Sequence, residues 1–337
     1  MRPPAPNDHR RRRERIVTPT DGAQASHSAS GRLPEALIIG AAKSATTSLF
    51  FRLIRHPGIF GGAGEGEEGA SVTRSKDKEV CFFSDDHNYE KCLKWYSDHF
   101  TKAQPDQLCI EASTNYTRWP QLPATPERIA RHIPNARLIY LVRHPVDRAY
   151  SHYVHRYTRE LHPGRPILAS FEEHILVDPM CIDSSLYMRQ IERYLEHFPR
   201  SALHVVLTSD LKRQPEDTLT GVCKFLDIDP AGLKLGEQSA QESNESSAVL
   251  ASKTRGAITG PLSRIPVVGS LARRMPQSWK DRAYAILAKT RYGRKAAQSF
   301  TPPPLTPQVR AKYLKFFEGP NAELAKFLGR DLPEWSV

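Results

Sequence analysis

The segment Leu37-Ile38-Ile39-Gly40-Ala41-Ala42-Lys43-Ser44-Ala45-Thr46-Thr47-Ser48 limits the possible folds more than any other part of the chain. It is a short apolar run, a glycine-containing turn with a single lysine, and then a set of hydroxyls. Such a run followed by such a turn predicts a buried strand, Ala36–Gly40, feeding a helix from Thr46 to about His56. The first turn of a helix leaves backbone N–H groups without intrahelical acceptors, and these suit a phosphate. Lys43 adds a mobile positive charge, and Ser44, Thr46, Thr47 and Ser48 add donors. Lys43, Ser44, Ala45, Thr46, Thr47 and Ser48 therefore form a candidate anion loop. It differs from the common nucleotide loop, G-x-x-x-x-G-K-[ST], in which a second glycine precedes the lysine and a hydroxyl follows it for magnesium. Here Lys43 comes three residues after Gly40 with no second glycine between them.

A second segment repeats the plan. In Arg137-Leu138-Ile139-Tyr140-Leu141-Val142-Arg143-His144-Pro145 the continuous apolar run Leu138–Val142 predicts a strand covered on both faces. Pro145 then opens a helix running to about Arg159, since proline fits a first helical turn and not a ladder. Arg143 ends the strand and Ser151 stands two turns into the helix. A forked cation and a hydroxyl make a suitable pair for a terminal phosphate at the carboxyl edge of a parallel sheet. Further strands are expected at Leu108–Ala112 and Leu203–Thr208. Further helices are expected from Thr125 to before Pro134, from Ser184 to Phe198, from Pro215 to Leu226 and from Pro307 to Leu328. This alternation predicts an α/β fold, a parallel sheet with helices on both faces.

A third segment carries Lys78-Glu79-Val80-Cys81-Phe82-Phe83, followed by Tyr89 and by Trp95-Tyr96. A carboxylate in a partly dry cleft can take a proton from an attacking hydroxyl, which makes Glu79 a candidate base. Lys78 could assist with developing charge, although an exposed lysine is the simpler reading. Taken together, K-x-x-T-T after a strand, an arginine and serine around the second turn, and K-E-x-x-F-F with W-Y beyond it resemble the sulfotransferases. The likeness is greatest to the heparan-type and related bacterial members that use 3′-phosphoadenosine 5′-phosphosulfate (PAPS).

That resemblance runs from about residue 35 to the end of the chain and is loose between 237 and 300. It implies a P-loop-like single domain over 33–337. It also implies a PAPS donor, the product 3′-phosphoadenosine 5′-phosphate (PAP), and a hydroxyl or amine acceptor, carbohydrate or glycolipid. Lys43 and the hydroxyls after it would hold the 5′-phosphosulfate, Arg143 and Ser151 the 3′-phosphate, and Glu79 would be the base. No metal is called for, because cationic side chains take its place. Glu111-Ala112-Ser113-Thr114-Asn115-Tyr116 is similar to a family segment lining the acceptor side, and reads equally well as a polar turn. Tyr187 reads first as core packing and second as a pocket residue. A basic loop over the 3′-phosphate is matched best by Lys289–Lys295, with Arg294 and Lys295 as candidates; a solvated basic helix end fits that stretch nearly as well. The disulfide that some relatives carry near this loop has no counterpart, since no cysteine follows Cys223. The rivals are a P-loop kinase or NTPase, and a non-catalytic anion-binding module on the same fold.

Composition narrows the remaining classes. With 337 residues, 39% hydrophobic and 25% charged, the chain can bury a large core. It has no apolar run long enough for a bilayer and no secretory leader, which points to a soluble cytoplasmic protein. Its five cysteines lack the spacing of a disulfide framework or a zinc site. The formal charge of +11 is unevenly placed. Residues 1–32, with seven arginines against three acids, read as a disordered basic tail. Residues 251–300, with eleven basic residues against Asp281, lie in an irregular basic segment at 237–306. The rest is weakly acidic, so general nucleic-acid binding is a poor fit. The 251–300 segment could instead guide an anionic cofactor, an anionic acceptor or a membrane surface. Gly61 to Lys78 reads as a glycine- and glutamate-rich insertion that could cover the cleft.

Overall fold

The computed structural model describes residues 31–62, 78–160, 170–233, 290 and 302–336. Five strands form one parallel sheet in the order β2-β3-β1-β4-β5. They are β1 (Ala36–Gly40), β2 (Ile59–Gly61), β3 (Leu108–Ala112), β4 (Arg137–Val142) and β5 (Leu203–Leu207). β1 lies at the centre, with Leu37 paired to Glu111 of β3 and to Leu138 of β4. Every residue of β1 is buried, as the unbroken apolar run requires of a strand covered on both faces.

The two faces are covered by different helices. Leu37, Ile39, Leu138, Tyr140 and Val142 point into a cluster with Tyr96, Ile129, Ile191 and Tyr194. These come from α3 (Cys92–Asp98), α4 (Thr125–His132) and α8 (Tyr187–Leu195). Ile38, Ile110, Ile139 and Leu141 point the other way, to Leu49, Phe50, Leu211, Leu219 and Val222. These belong to α1 (Thr46–Leu53), α9 (Thr208–Arg213) and α10 (Pro215–Phe225). The split follows the two-residue period of a strand.

Other elements extend this layer: α2 (Asp86–Glu90), α5 (Pro145–Glu160), α6 (Phe171–Val177), α7 (Met180–Asp183) and α11 (Pro307–Leu328). α6 begins with a capping box between Ser170 and Glu173. α11 begins with the Thr306 hydroxyl accepting from the Val309 N–H and ends at Gly329, whose φ of 65° suits glycine. Phe317 of α11 is fully buried among Val146 of α5 and Leu186. Arg310 pairs with Asp147 at 2.6 Å. Together these join the C-terminal helix to the start of α5.

Several boundaries differ from expectation. α1 stops at Leu53, with Ile54 as its C-cap, rather than near His56. α8 starts at Tyr187 rather than Ser184, because the Ser185 hydroxyl donates to the Pro145 carbonyl and accepts from Arg148. Thr208, expected to end β5, opens α9. β2 was not expected at all. Arg32, counted with the basic tail, is tied to Glu35 at 2.9 Å and to the Gln104 carbonyl at 2.8 Å. Residues 63–77, most of the expected insertion, lie outside the described residues, as do Arg294, Lys295 and most of 237–306. Among the described residues, no helix is long and apolar enough to cross a membrane.

Candidate active site

In a parallel sheet of this order, ligands bind beyond the carboxyl ends of the strands, where chain direction switches on either side of the first strand. The singled-out residues meet at that edge. The loop after β1 carries Lys43, the turn after β3 supports Glu79, and the end of β4 carries Arg143. Neighbouring strands lie about 4.8 Å apart, so the ends of β3 and β4 stand about 10 Å apart across β1.

The β1–α1 loop is held in an uncommon backbone shape. Gly40 has φ 147°, and a side chain there would collide with the Thr117 hydroxyl. Lys43 (φ 70°) and Ala45 (φ 64°) are left-handed without being glycine, a strain characteristic of ligand-holding turns. Ala45 caps α1 with no side-chain hydrogen bond, which leaves the first-turn N–H groups of Thr46, Thr47 and Ser48 directed out of the helix. The loop is braced from behind by its own carbonyls. Arg143 Nη1 donates to the Lys43 carbonyl at 3.3 Å and Arg148 Nη1 to the Ala42 carbonyl at 3.4 Å. Thr208 Oγ1 donates to the carbonyls of Ser44 (3.1 Å) and Val142 (3.0 Å). The two anion motifs are thus in direct contact. Ser151 lies part-buried within α5, on the helix that follows Arg143.

Arg143 is itself fixed by Tyr187. The phenol donates to the Arg143 carbonyl at 2.6 Å and accepts from its N–H at 3.2 Å. Burial raises the phenol's pKa, so it stays protonated and can donate. Of the two readings of Tyr187, core packing is correct for the ring, and the hydroxyl faces the site.

Glu79 is 29% exposed and accepts from Lys78 Nζ at 2.7 Å and from Thr114 Oγ1 at 3.1 Å. Burial alone would raise its pKa. The charge and hydrogen bond of Lys78, with those of Thr114, outweigh that and hold the carboxyl below the ordinary range. It is therefore ionised at neutral pH and able to accept a proton. The expectation of an exposed Lys78 is corrected: the side chain is 1% exposed, and its ammonium also donates to the Ala112 carbonyl at 3.3 Å. The buried ammonium is paired by the neighbouring Glu79 carboxylate and by the Ala112 carbonyl at the end of β3.

Glu111 does not line the cleft. It is fully buried and receives hydrogen bonds from Tyr96 (2.5 Å), Tyr116 (2.9 Å to each oxygen) and Ser113. Burial raises its pKa against those bonds. Its segment serves the site indirectly, through Ser113, which accepts the Cys81 N–H at 2.9 Å, and through Thr114 on Glu79.

Two arginines were not singled out from the sequence. Arg148, fully buried, donates to Ser185 Oγ at 2.5 Å, to the Cys181 carbonyl and to the Ala42 carbonyl. Its position one turn after Pro145 on the inner face of α5 was the available signal. Arg118 follows the turn after β3; burial lowers its pKa, and Glu79 is the leading charge opposing that shift. Its Nε is buried without a hydrogen-bond partner. A separate cavity of about 570 Å³ opens at the amino-terminal edge of the sheet. Its two arginines are paired, Arg32 with Glu35 and Arg137 with Asp227.

Known proteins resemble this chain in sequence and in fold. The sulfotransferase-family profile matches residues 34–231. The human bifunctional heparan sulfate N-deacetylase/N-sulfotransferase 3 is 32% identical over 213 residues, covering 59% of this chain and 23% of that protein. The mouse heparan sulfate glucosamine 3-O-sulfotransferase 5 is 29% identical over 213 residues, covering 60% of this chain and 56% of that protein. The chain thus matches just over half of one curated relative and under a quarter of the other. A solved sulfotransferase from Alicyclobacillus acidocaldarius superposes with a TM-score of 0.56 at 21% identity, covering 91% of this chain and 100% of that one, which supports the fold. With more than half of its length matched by the family profile, and with the strand-end geometry described above, the chain belongs to the sulfotransferase family.

Proposed function

We propose that this protein transfers a sulfuryl group from PAPS to a hydroxyl or amine of an acceptor, and that the acceptor is a carbohydrate. The observation that carries this reading is the part-open Glu79, held by Lys78 and Thr114 at the carboxyl end of β3, with β1 and its Lys43 loop next and then Arg143 at the end of β4.

The donor would lie along the carboxyl edge. The Lys43 ammonium, the hydroxyls of Ser44, Thr46, Thr47 and Ser48, and the N–H groups from Ala45 onward receive its 5′-phosphosulfate. Arg143 and Ser151 receive its 3′-phosphate. Glu79 takes the acceptor proton as the acceptor oxygen or nitrogen bonds to sulfur. The bond from sulfur to the bridging oxygen breaks, and PAP leaves carrying that oxygen's charge. Lys43 neutralises this charge, which grows during the reaction, so the lysine stabilises the transition state more than the ground state. Lys78 keeps Glu79 ionised rather than touching the acceptor. The carbohydrate assignment is supported by the two curated relatives, whose names both specify heparan sulfate.

The kinase or NTPase rival lacks the second glycine and the Lys-Ser/Thr order that a magnesium nucleotide loop needs. The test pairs binding with turnover. PAP should raise the melting temperature more than ATP with magnesium at equal concentration. Glu79→Gln should keep that PAP shift while transfer from radiolabelled PAPS falls by about 10²- to 10⁴-fold, the usual contribution of a general base. Preferential stabilisation by ATP–magnesium, or full transfer by Glu79→Gln, overturns the proposal.

A further inference from the structure

The structure points to a second chemical centre behind the α5 helix. We propose that His152, Asp178 and Cys181 form a three-donor site for a divalent transition metal of the zinc class, with the fourth position open. The three side chains come from α5, from the turn after α6 and from α7, and their donor atoms all lie within 4.8 Å of one another. All are withdrawn from water: His152 is 6% exposed, Cys181 0%, and the Asp178 side chain 12%.

The three donor groups converge closely enough to share one ion. Asp178 Oδ2 is 3.4 Å from His152 Nε2 and forms an ion pair with Arg156. His152 Nε2 is buried without a hydrogen-bond partner of acceptable geometry. Buried polar atoms without partners are rare and need a reason. Bonds of about 2.0–2.3 Å to a tetrahedral zinc ion place its ligands about 3.3–3.8 Å apart, a range that holds the His152–Asp178 separation. An imidazole, a carboxylate and a thiol form a mixed nitrogen, oxygen and sulfur set, which favours zinc over magnesium or calcium.

Arg148 borders the cluster, donating to the Cys181 carbonyl. Arg156 also pairs with Asp178 at 3.5 Å and must give way when the metal enters. Ligation by Cys181 breaks its S–H bond, forms a sulfur–metal bond and releases one proton to solvent for each metal taken up. A metal here would pin α5, just past Ser151, to the α6–α7 turn. It would stand apart from the sulfuryl transfer, and the inference does not depend on that reaction.

The test uses cobalt(II) as the probe on the full chain after dialysis against chelator. Titration should give a near-ultraviolet thiolate-to-cobalt band that saturates at one equivalent, with one proton released per metal. Cys181→Ser should abolish the band, and Cys92→Ser, at an exposed cysteine outside the cluster, should keep it. His152→Gln should weaken affinity roughly tenfold or more. Zinc should raise the melting temperature of the wild-type protein, reversibly with chelator, a readout that needs no variant to fold. A titration with no thiolate band at one equivalent, a band that survives in Cys181→Ser, or the absence of both zinc stabilisation and proton release overturns the proposal.

Discussion

Lys78 and Glu79 show how two adjacent residues divide one task. Burial would raise the pKa of the part-open carboxyl, and the buried ammonium 2.7 Å away outweighs this and keeps it ionised. Because the folded value lies below the ordinary 4.5, the ionised carboxylate stabilises the fold above that pH, and this stability is lost as pH falls through the depressed value. Lys78→Met removes the attraction but keeps the burial. The acid limb of kcat/KM should then move upward through the ordinary glutamate value, with PAP affinity unchanged; a pH–rate profile of each protein reads the shift. An unmoved limb would mean that a group other than Glu79 limits the rate in acid. These two residues also mark how far a sequence can be read. Glu79 could be singled out because a short motif surrounds it. The burial of Lys78 could not, because its second partner is a carbonyl 34 residues away. Glu111 was open to misreading for the same reason: its three hydroxyl partners are set by the packing of α3 and the turn after β3.

Elements were legible where they are buried on both faces. β1, β3 and β4 declare themselves as apolar runs, and the proline-opened helices α5, α10 and α11 as proline followed by helical spacing. β2 does not, being three residues ending in Gly61 at the sheet's edge. The junction between β4 and α5 is where element geometry becomes site geometry. Its backbone turns at Arg143 and is held from α8 by the Tyr187 hydroxyl. Ring packing against Tyr140 and Trp335 would persist in Tyr187→Phe, so that variant removes the pin alone. It should cost about 1 kcal/mol in stability, the net value of a hydrogen bond. It should also weaken PAP about five- to tenfold by loosening Arg143, as measured by calorimetry. Loss of stability with unchanged PAP affinity would show that the phenol serves the core and not the phosphate.

At the scale of the whole molecule, the C-terminal helix closes the structure over the β4–α5 junction. α11 reaches back more than 160 residues in sequence to pair Arg310 with Asp147, and Trp335 beyond it meets both Tyr187 and His144. Phe317 is its main apolar anchor, fully buried against Val146 and Leu186. Phe317→Ala should therefore lower the unfolding free energy by about 3–5 kcal/mol, the cost of emptying a large aromatic site. The effect on the donor site should be smaller. Arg143 stays fixed by Tyr187, and the Ala42 carbonyl stays fixed by Arg148, neither of which Phe317 replaces. PAP bound at about a hundred times its Kd adds about 2.7 kcal/mol to the folded state, so saturating PAP should restore much of the lost stability. Urea unfolding of both proteins with and without PAP measures this directly. Near-equal PAP increments would identify α11 as a brace for the fold, whereas a much smaller increment in Phe317→Ala would make the helix part of the donor site.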